Sequence, residues 1–301
     1  MRLYCAHLAH RLMKPPQLLL LKMLLLALLP ATGVRAQALK PRLRQMVTPP
    51  AQKEKFLLYL LIGQSNMAGR GLVEAEDTVP NQRVLRLNRA GQWEVAKDPI
   101  HFDKAVAAVG PGLTFGRLMA AQDASITIGL IPCAVGGSGI AAWAPGVYFA
   151  DTQTHPYDDA LARARTAMHT GTLAGIIWNQ GETDSNSEKS AVYEQKLKAL
   201  IEQLRTDLQA PTVPFVAGQL PDFQINKIGA DSQLHLNEAA QRINQAVAEL
   251  QKRVSNYTYI TAEGTADIGD HVHFNAASAR LLGLRYATAM RRLQGKISGQ
   301  K

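Results

Sequence analysis

Cysteine is nearly absent from this chain. Its 301 residues contain only Cys5 and Cys133. A disulfide framework is therefore excluded, and the core must hold by burial alone. No acidic residue precedes Glu54. No dense basic tract occurs anywhere, which argues against a nucleic-acid-binding surface. Long uninterrupted apolar runs are missing too. The best, "LLLLKMLLLALLP" (18–30), is broken by Lys22 and falls short of the roughly 20 residues a membrane span needs.

That run has a different reading. Arg2, Arg11, Lys14 and Lys22 make the first stretch basic, and "ATGVRA" follows the apolar run. Residues 1–36 are expected to be a secretory signal peptide cleaved after Ala36, with a retained anchor as the rival. Translation from Met13 would give a shorter leader. The full chain carries +9. Without the leader's five bases, 28 bases face 24 acids, a mild +4. Cys133 is then alone, and within "ITIGLIPCAV" it reads as a buried, inert thiol.

Residues 37–54 are polar, with Pro41, Pro49 and Pro50, and read as a linker. From there strand-like and helical stretches alternate. Strands are expected at 56–62, 83–88, 125–132, 173–179, 214–220 and 257–261. Helices are expected at 111–122, 157–168, 187–208, 236–254 and 275–293. Several strands are apolar on consecutive residues, as in a parallel sheet covered on both faces. The fold class is thus α/β, a three-layer α/β/α sandwich around a mainly parallel sheet, over residues 55–295. In such sheets ligands sit beyond the carboxyl ends of the strands.

Polar residues cluster at those ends. "GQSN" (63–66) follows the first strand. Ser65 there is either a nucleophile exposed on a strand-to-helix turn or a capping serine. "GDHVHFN" (269–275) precedes the last helix. Asp270 and His273, three apart, can orient an imidazole toward a serine, while His271 points elsewhere. "AVGGSGI" (134–140) and "IIWNQGETD" (176–184) follow two further strands. They offer backbone N–H groups at Gly136 and Gly137 and a side-chain amide at Gln180 or Asn179 for an oxyanion. Glu182 and Asp184 read as hydrogen-bonding residues that shape their loop, not as metal ligands or a glycosidase pair. Asp231 and His235, four apart, read as helical surface electrostatics. Trp178 reads as core, and Trp143 as a candidate to stack on a sugar ring.

Taken together, "GQSNMAG", "GGSGI", "WNQGETD" and "DHVHF" in this order resemble the SGNH-hydrolase superfamily. Within it they resemble the branch of sialate O-acetylesterase-type proteins and acetylxylan esterases of carbohydrate esterase family six. The resemblance covers nearly all of residues 56–292 and implies a flavodoxin-like SGNH fold. It implies Ser65 as nucleophile, His273 as base and Asp270 as its orienter. It implies an oxyanion hole from the N–H groups of Ser65 and Gly137 with the Gln180 side chain. Gln64, Asn66, Trp143 and Glu182 are weaker candidates for substrate contact. Neither a cofactor nor a metal is implied. The expected activity is a secreted or periplasmic esterase removing O-acetyl groups from carbohydrate through an acetyl-enzyme. A sialate O-acetylesterase, a general short-chain acyl esterase and an inactive carbohydrate-binding module are the alternatives. The partner is an acetylated polysaccharide or sugar, with neither nucleic acid nor membrane after leader cleavage.

Overall fold

The computed structural model describes residues 44–228 and 233–298. The expected leader and residues 37–43 of the expected linker lie outside them, as does Asp231.

Among the described residues nine strands form in chain order: β1 (Phe56–Gly63), β2 (Val84–Leu87), β3 (Trp93–Val95), β4 (Thr127–Pro132), β5 (Thr172–Asn179), β6 (Phe215–Gly218), β7 (Asn226–Ile228), β8 (Leu234–Leu236) and β9 (Tyr257–Ile260). The helices are α1 (Ser65–Ala68), α2 (Pro111–Ala120), α3 (Pro156–Met168), α4 (Ser187–Ala191), α5 (Tyr193–Asp207), α6 (Asp222–Ile225), α7 (Glu238–Glu249) and α8 (Ala276–Ser298). Seven strands make one sheet in the order β3-β2-β4-β1-β5-β6-β9. β3 alone in it is antiparallel.

The alternation of β1 builds both cores. Phe56, Leu58, Leu60 and Ile62 face one layer together with residues of α3, α5 and α7. Tyr59 and Leu61 face the other, with residues of α2 and α8. A strand period of two sends successive side chains to opposite faces. All six are fully buried, and each such side chain contributes about 1.5–3 kcal/mol over staying exposed. β1 lies between β4 and β5, where the chain order turns from one side of the sheet to the other. Ser65 leaves the sheet at that switch point, the usual place for a ligand.

Four expectations need correction. The expected 187–208 helix is two, because Val192 (φ −111°, ψ 3°) leaves helical geometry. The helix expected from 236 starts at Glu238. Asn237 caps it by accepting the Ala240 N–H, and Leu236 belongs to β8. His235 therefore sits on an exposed strand, so the helical i, i+4 reading of its pairing with Asp231 fails. Finally, residues 44–47 are not free linker. Val47 N–H donates to Trp93 O at 3.0 Å and Val95 N–H to Gln45 O at 2.8 Å. Arg44 bonds the carbonyls of Lys97 and Pro99. The unpaired edge of β3 supplies backbone partners that composition does not reveal. Cys133 is buried, and desolvation pushes its thiol up to about 11, as an inert thiol requires.

Candidate active site

The end of β1 is shaped by one glycine. Gly63 has φ +132°, and a Cβ there would lie 2.0 Å from the Asn179 carbonyl oxygen. Only glycine lets β1 and β5 converge this closely. The Gln64 N–H then donates to Asn179 O at 2.9 Å, and α1 begins. Gln64 occupies the N-cap position, and Ser65 is the first helical residue. Ser65 is thus not a capping serine. Its N–H, at the start of a helix, has no acceptor within that helix.

His273 comes to it from the other end of the chain. His273 Nε2 lies 3.0 Å from Ser65 Oγ, and His273 Nδ1 lies 2.6 Å from Asp270 Oδ2. Asp270 Oδ1 accepts the N–H groups of Val272 (2.9 Å) and His273 (2.8 Å). Burial opposes the Asp270 charge. The donors from His273 and Val272 outweigh it and hold the carboxyl below the usual range. His271 has φ +56°, is exposed, and turns to Asp267 at 3.4 Å. Asn275, not Asp270, caps α8, accepting the Ser278 N–H at 2.9 Å.

Ser65 and His273 border a hollow of about 480 Å³, lined also by Gln64, Gly137, Glu182 and Lys104. Gly137 has φ +88°, a conformation that turns its backbone toward the hollow at little cost only for glycine. Its carbonyl accepts from Thr183 Oγ1 at 3.1 Å. Its N–H meets no acceptor among the described residues.

Gln180 does not line this hollow. It is 1% exposed. Its Nε2 faces three acceptors: Asp184 Oδ2 (2.6 Å), Gln64 Oε1 (3.0 Å) and Ser138 O (3.3 Å). Its Oε1 lies 3.0 Å from the Tyr193 hydroxyl. Two amide hydrogens with three buried acceptors leave none for an oxyanion. Asn179 is equally committed, donating to the Tyr286 hydroxyl at 3.0 Å. The amide that does reach the hollow is Gln64. Its Oε1 is held from behind by Gln180 Nε2 and the Thr183 N–H, and its Nε2 has no acceptor among the described residues.

Two weaker candidates are also corrected. Asn66 is 2% exposed and fully bonded inside the protein, to Glu182, Val272 O and Phe274 N–H. Trp143 is 1% exposed, sits edge-on to Trp178 at 5.3 Å, and donates to Ser138 Oγ at 3.0 Å. It is core, not a sugar platform. Asp184 shapes its loop as expected, accepting the Ile140 N–H at 2.7 Å. Glu182 accepts from Asn66 and lines the hollow, and burial raises its carboxyl. Lys104 escaped sequence reading because "HFDKAVAAVG" has no period and no motif. Arg70 also lines the hollow, but its charge is paired with Asp103 at 3.0 Å.

Known proteins resemble the chain over most of its length. A probable carbohydrate esterase of Arabidopsis thaliana is 28% identical over 271 residues, covering 83% of this chain and 94% of that protein. A solved Arabidopsis thaliana structure aligns with a TM-score of 0.67 at 27% identity, over 79% of this chain and 98% of that one. NanS shares the fold, with a TM-score of 0.62 at 18% identity over 83% of this chain and all of its own. The model of one family, carbohydrate esterase, sialic acid-specific acetylesterase, matches residues 55–292. The chain belongs to that family, and it is a carbohydrate acetylesterase, a hydrolase of ester bonds.

Proposed function

We propose that the chain removes O-acetyl groups from carbohydrate through an acetyl-enzyme on Ser65. The observation that carries this is the 3.0 Å approach of His273 Nε2 to Ser65 Oγ, with Nδ1 held by Asp270. Ser65 Oγ attacks the acetyl carbonyl carbon while its proton passes to His273. The carbon–oxygen bond to the sugar breaks, and His273 returns the proton to the leaving sugar oxygen. Water, activated by the same imidazole, then attacks the acetyl-enzyme and releases acetate. The N–H groups of Ser65 and Gly137 and the Gln64 amide serve the tetrahedral oxygen.

The substrate we favour is an acetylated polysaccharide of the xylan type. Arg70, the nearest guanidinium, has its charge already met by Asp103. A second reading, an O-acetylated sialic acid, is favoured by Lys104, an exposed cation lining the hollow. The family's description points the same way. We also propose that the enzyme is secreted, on the strength of its basic and then apolar first 36 residues.

The test compares acetylated xylan, an O-acetylated sialic acid and a chromogenic acetate ester. All three should be cleaved only by protein with an intact Ser65, with the highest kcat/KM on acetylated xylan. Cleavage of the chromogenic ester alone would sink the carbohydrate reading. A clear preference for the sialic acid would select the second one.

A further inference from the structure

One residue bonds to both sides of the oxyanion hole. Thr183 stands in the turn Glu182–Asp184 that follows β5, half-buried at the wall of the hollow. Its N–H donates to Gln64 Oε1 at 3.3 Å, and its hydroxyl donates to the Gly137 carbonyl at 3.1 Å. Gln64 follows β1 and Gly137 follows β4. In the sheet β1 lies between β4 and β5. Thr183 therefore joins the loops of three adjacent strands where they surround Ser65.

The two bonds differ in what they hold. Gln64 Oε1 also accepts from Gln180 Nε2 at 3.0 Å, so the Thr183 N–H shares that task. Among the described residues, the Gly137 carbonyl accepts from the Thr183 hydroxyl alone. Residues 135–138 form a β-turn, closed by the Ser138 N–H on Val135 O at 3.2 Å. Of its two central residues only Gly137 has a positive φ, +88°, the signature of a type II turn. Both central residues are glycine, so no Cβ limits the peptide between them. That peptide carries the Gly137 N–H, and its orientation must come from outside the turn. Two bonds flank it. The Gly136 N–H donates to Asp103 Oδ2 at 2.9 Å, and the Thr183 hydroxyl holds the Gly137 carbonyl. An oxyanion donor is effective only when it is fixed before the charge develops.

We propose that Thr183 is a positioning residue for the esterase reaction. Its hydroxyl fixes the Gly137 backbone, so that the Gly137 N–H and the Gln64 amide meet one developing oxygen. It acts through Gly137 and not on the substrate. The inference rests on the acyl-transfer reading of Ser65.

The test is Thr183→Val, which keeps the shape and removes the hydroxyl, measured on a chromogenic acetate ester. Its kcat should fall roughly tenfold or more with KM little changed, a part of the 10²–10³-fold that a whole donor is typically worth. Thr183→Ala removes the same hydroxyl with a smaller side chain and should show the same split. Thr183→Ser keeps the hydroxyl and should recover the rate to within a few-fold of wild type. Methylboronic acid provides a second readout. Ser65 Oγ bonds its boron while the Oγ proton passes to His273, which leaves a tetrahedral anion in the hole. Inhibition should weaken by roughly tenfold or more in Thr183→Val and stay near wild type in Thr183→Ser. A purely structural role would not weaken the boronate adduct while sparing KM.

Four results overturn the proposal: wild-type kcat in both variants without the hydroxyl, a raised KM with kcat unchanged, a loss that Thr183→Ser does not recover, or boronate inhibition unchanged by the valine. Ser65→Ala checks the mechanism separately. If it is inactive while Thr183→Val and Thr183→Ala match wild type, the Thr183 proposal fails and the Ser65 mechanism stands. If Ser65→Ala cleaves the ester like wild type, both fail.

Discussion

The side-chain oxygen of Asn66 accepts the Phe274 N–H at 3.0 Å, across 208 residues of chain. The same amide donates to the Val272 carbonyl at 3.0 Å and to Glu182. The residue after Ser65 therefore clamps the backbone on both sides of His273. Ser65 and His273 are registered to each other through Asn66 as well as by direct contact.

Asn66→Ala should consequently damage both stability and turnover. It leaves a buried N–H and a buried carbonyl without their partner, at about 1–3 kcal/mol each. A base displaced by about 1 Å can cost on the order of 10²-fold in rate. Urea unfolding and steady-state kinetics would show a lowered midpoint and a lowered kcat with KM little changed. A lowered midpoint with wild-type kcat would mean that Asn66 serves the fold alone.

The two histidines of the 269–274 loop should separate cleanly. His273→Ala, like Ser65→Ala, should lose roughly 10³-fold or more in kcat with the fold intact by circular dichroism. His271→Ala should stay within a few-fold of wild type, because His271 is exposed and faces Asp267. A serine-directed phosphonate should label Ser65. Asp270 is held below the usual carboxylate range. Its support for the loop is present above the unfolded carboxylate value and is lost only as pH drops through the lower, folded one. If His271 is the essential histidine, the assignment is wrong.

Gln64 and Gln180 offer a contrast. Gln64→Ala should lower kcat by about 10²–10³-fold with little change in KM, as loss of one oxyanion donor does. Gln180→Ala strips partners from Asp184, Gln64 and Ser138. It should act first on stability, by about 2 kcal/mol or more. Thermal melts alongside kinetics on an acetate ester distinguish them. A stable Gln180 variant that is slow only in kcat would restore Gln180 as the donor.

Asp98 should make stability depend on pH. Desolvation, and then the charge of Asp77, push its carboxyl up to about 8. A group raised on folding adds stability that is full below its unfolded value. That stability is lost as pH rises through the folded one. Asp98→Asn keeps the shape and removes the titration. Relative to wild type it should gain at least about 1.4 kcal/mol, one unit's worth, between pH 4 and pH 8. Parallel urea curves at the two pH values would measure this. An unchanged difference would show that Asp98 ionises freely.

The parts of this molecule that follow a period could be read without coordinates. Consecutive apolar residues in 56–62 and 173–179 mark strands buried on both faces, and β1 and β5 are those strands. Ser65 and the Asp270–His273 pair were legible because their neighbours in sequence are their neighbours in space: a strand end before one, a three-residue spacing within the other. β3 was missed because three residues at a sheet edge carry no period. Trp143, Asn66 and Gln180 were misjudged for a common reason. Each stands in or beside a recognisable polar turn, but a turn's sequence does not state which way its side chains leave it. Packing makes that choice. Trp143 packs against Trp178, Asn66 reaches a backbone more than 200 residues away, and Gln180 turns inward to Asp184 and leaves Gln64 facing the hollow. A buried amide goes where its hydrogen bonds can all be met, and those partners come from chain segments that only folding brings together.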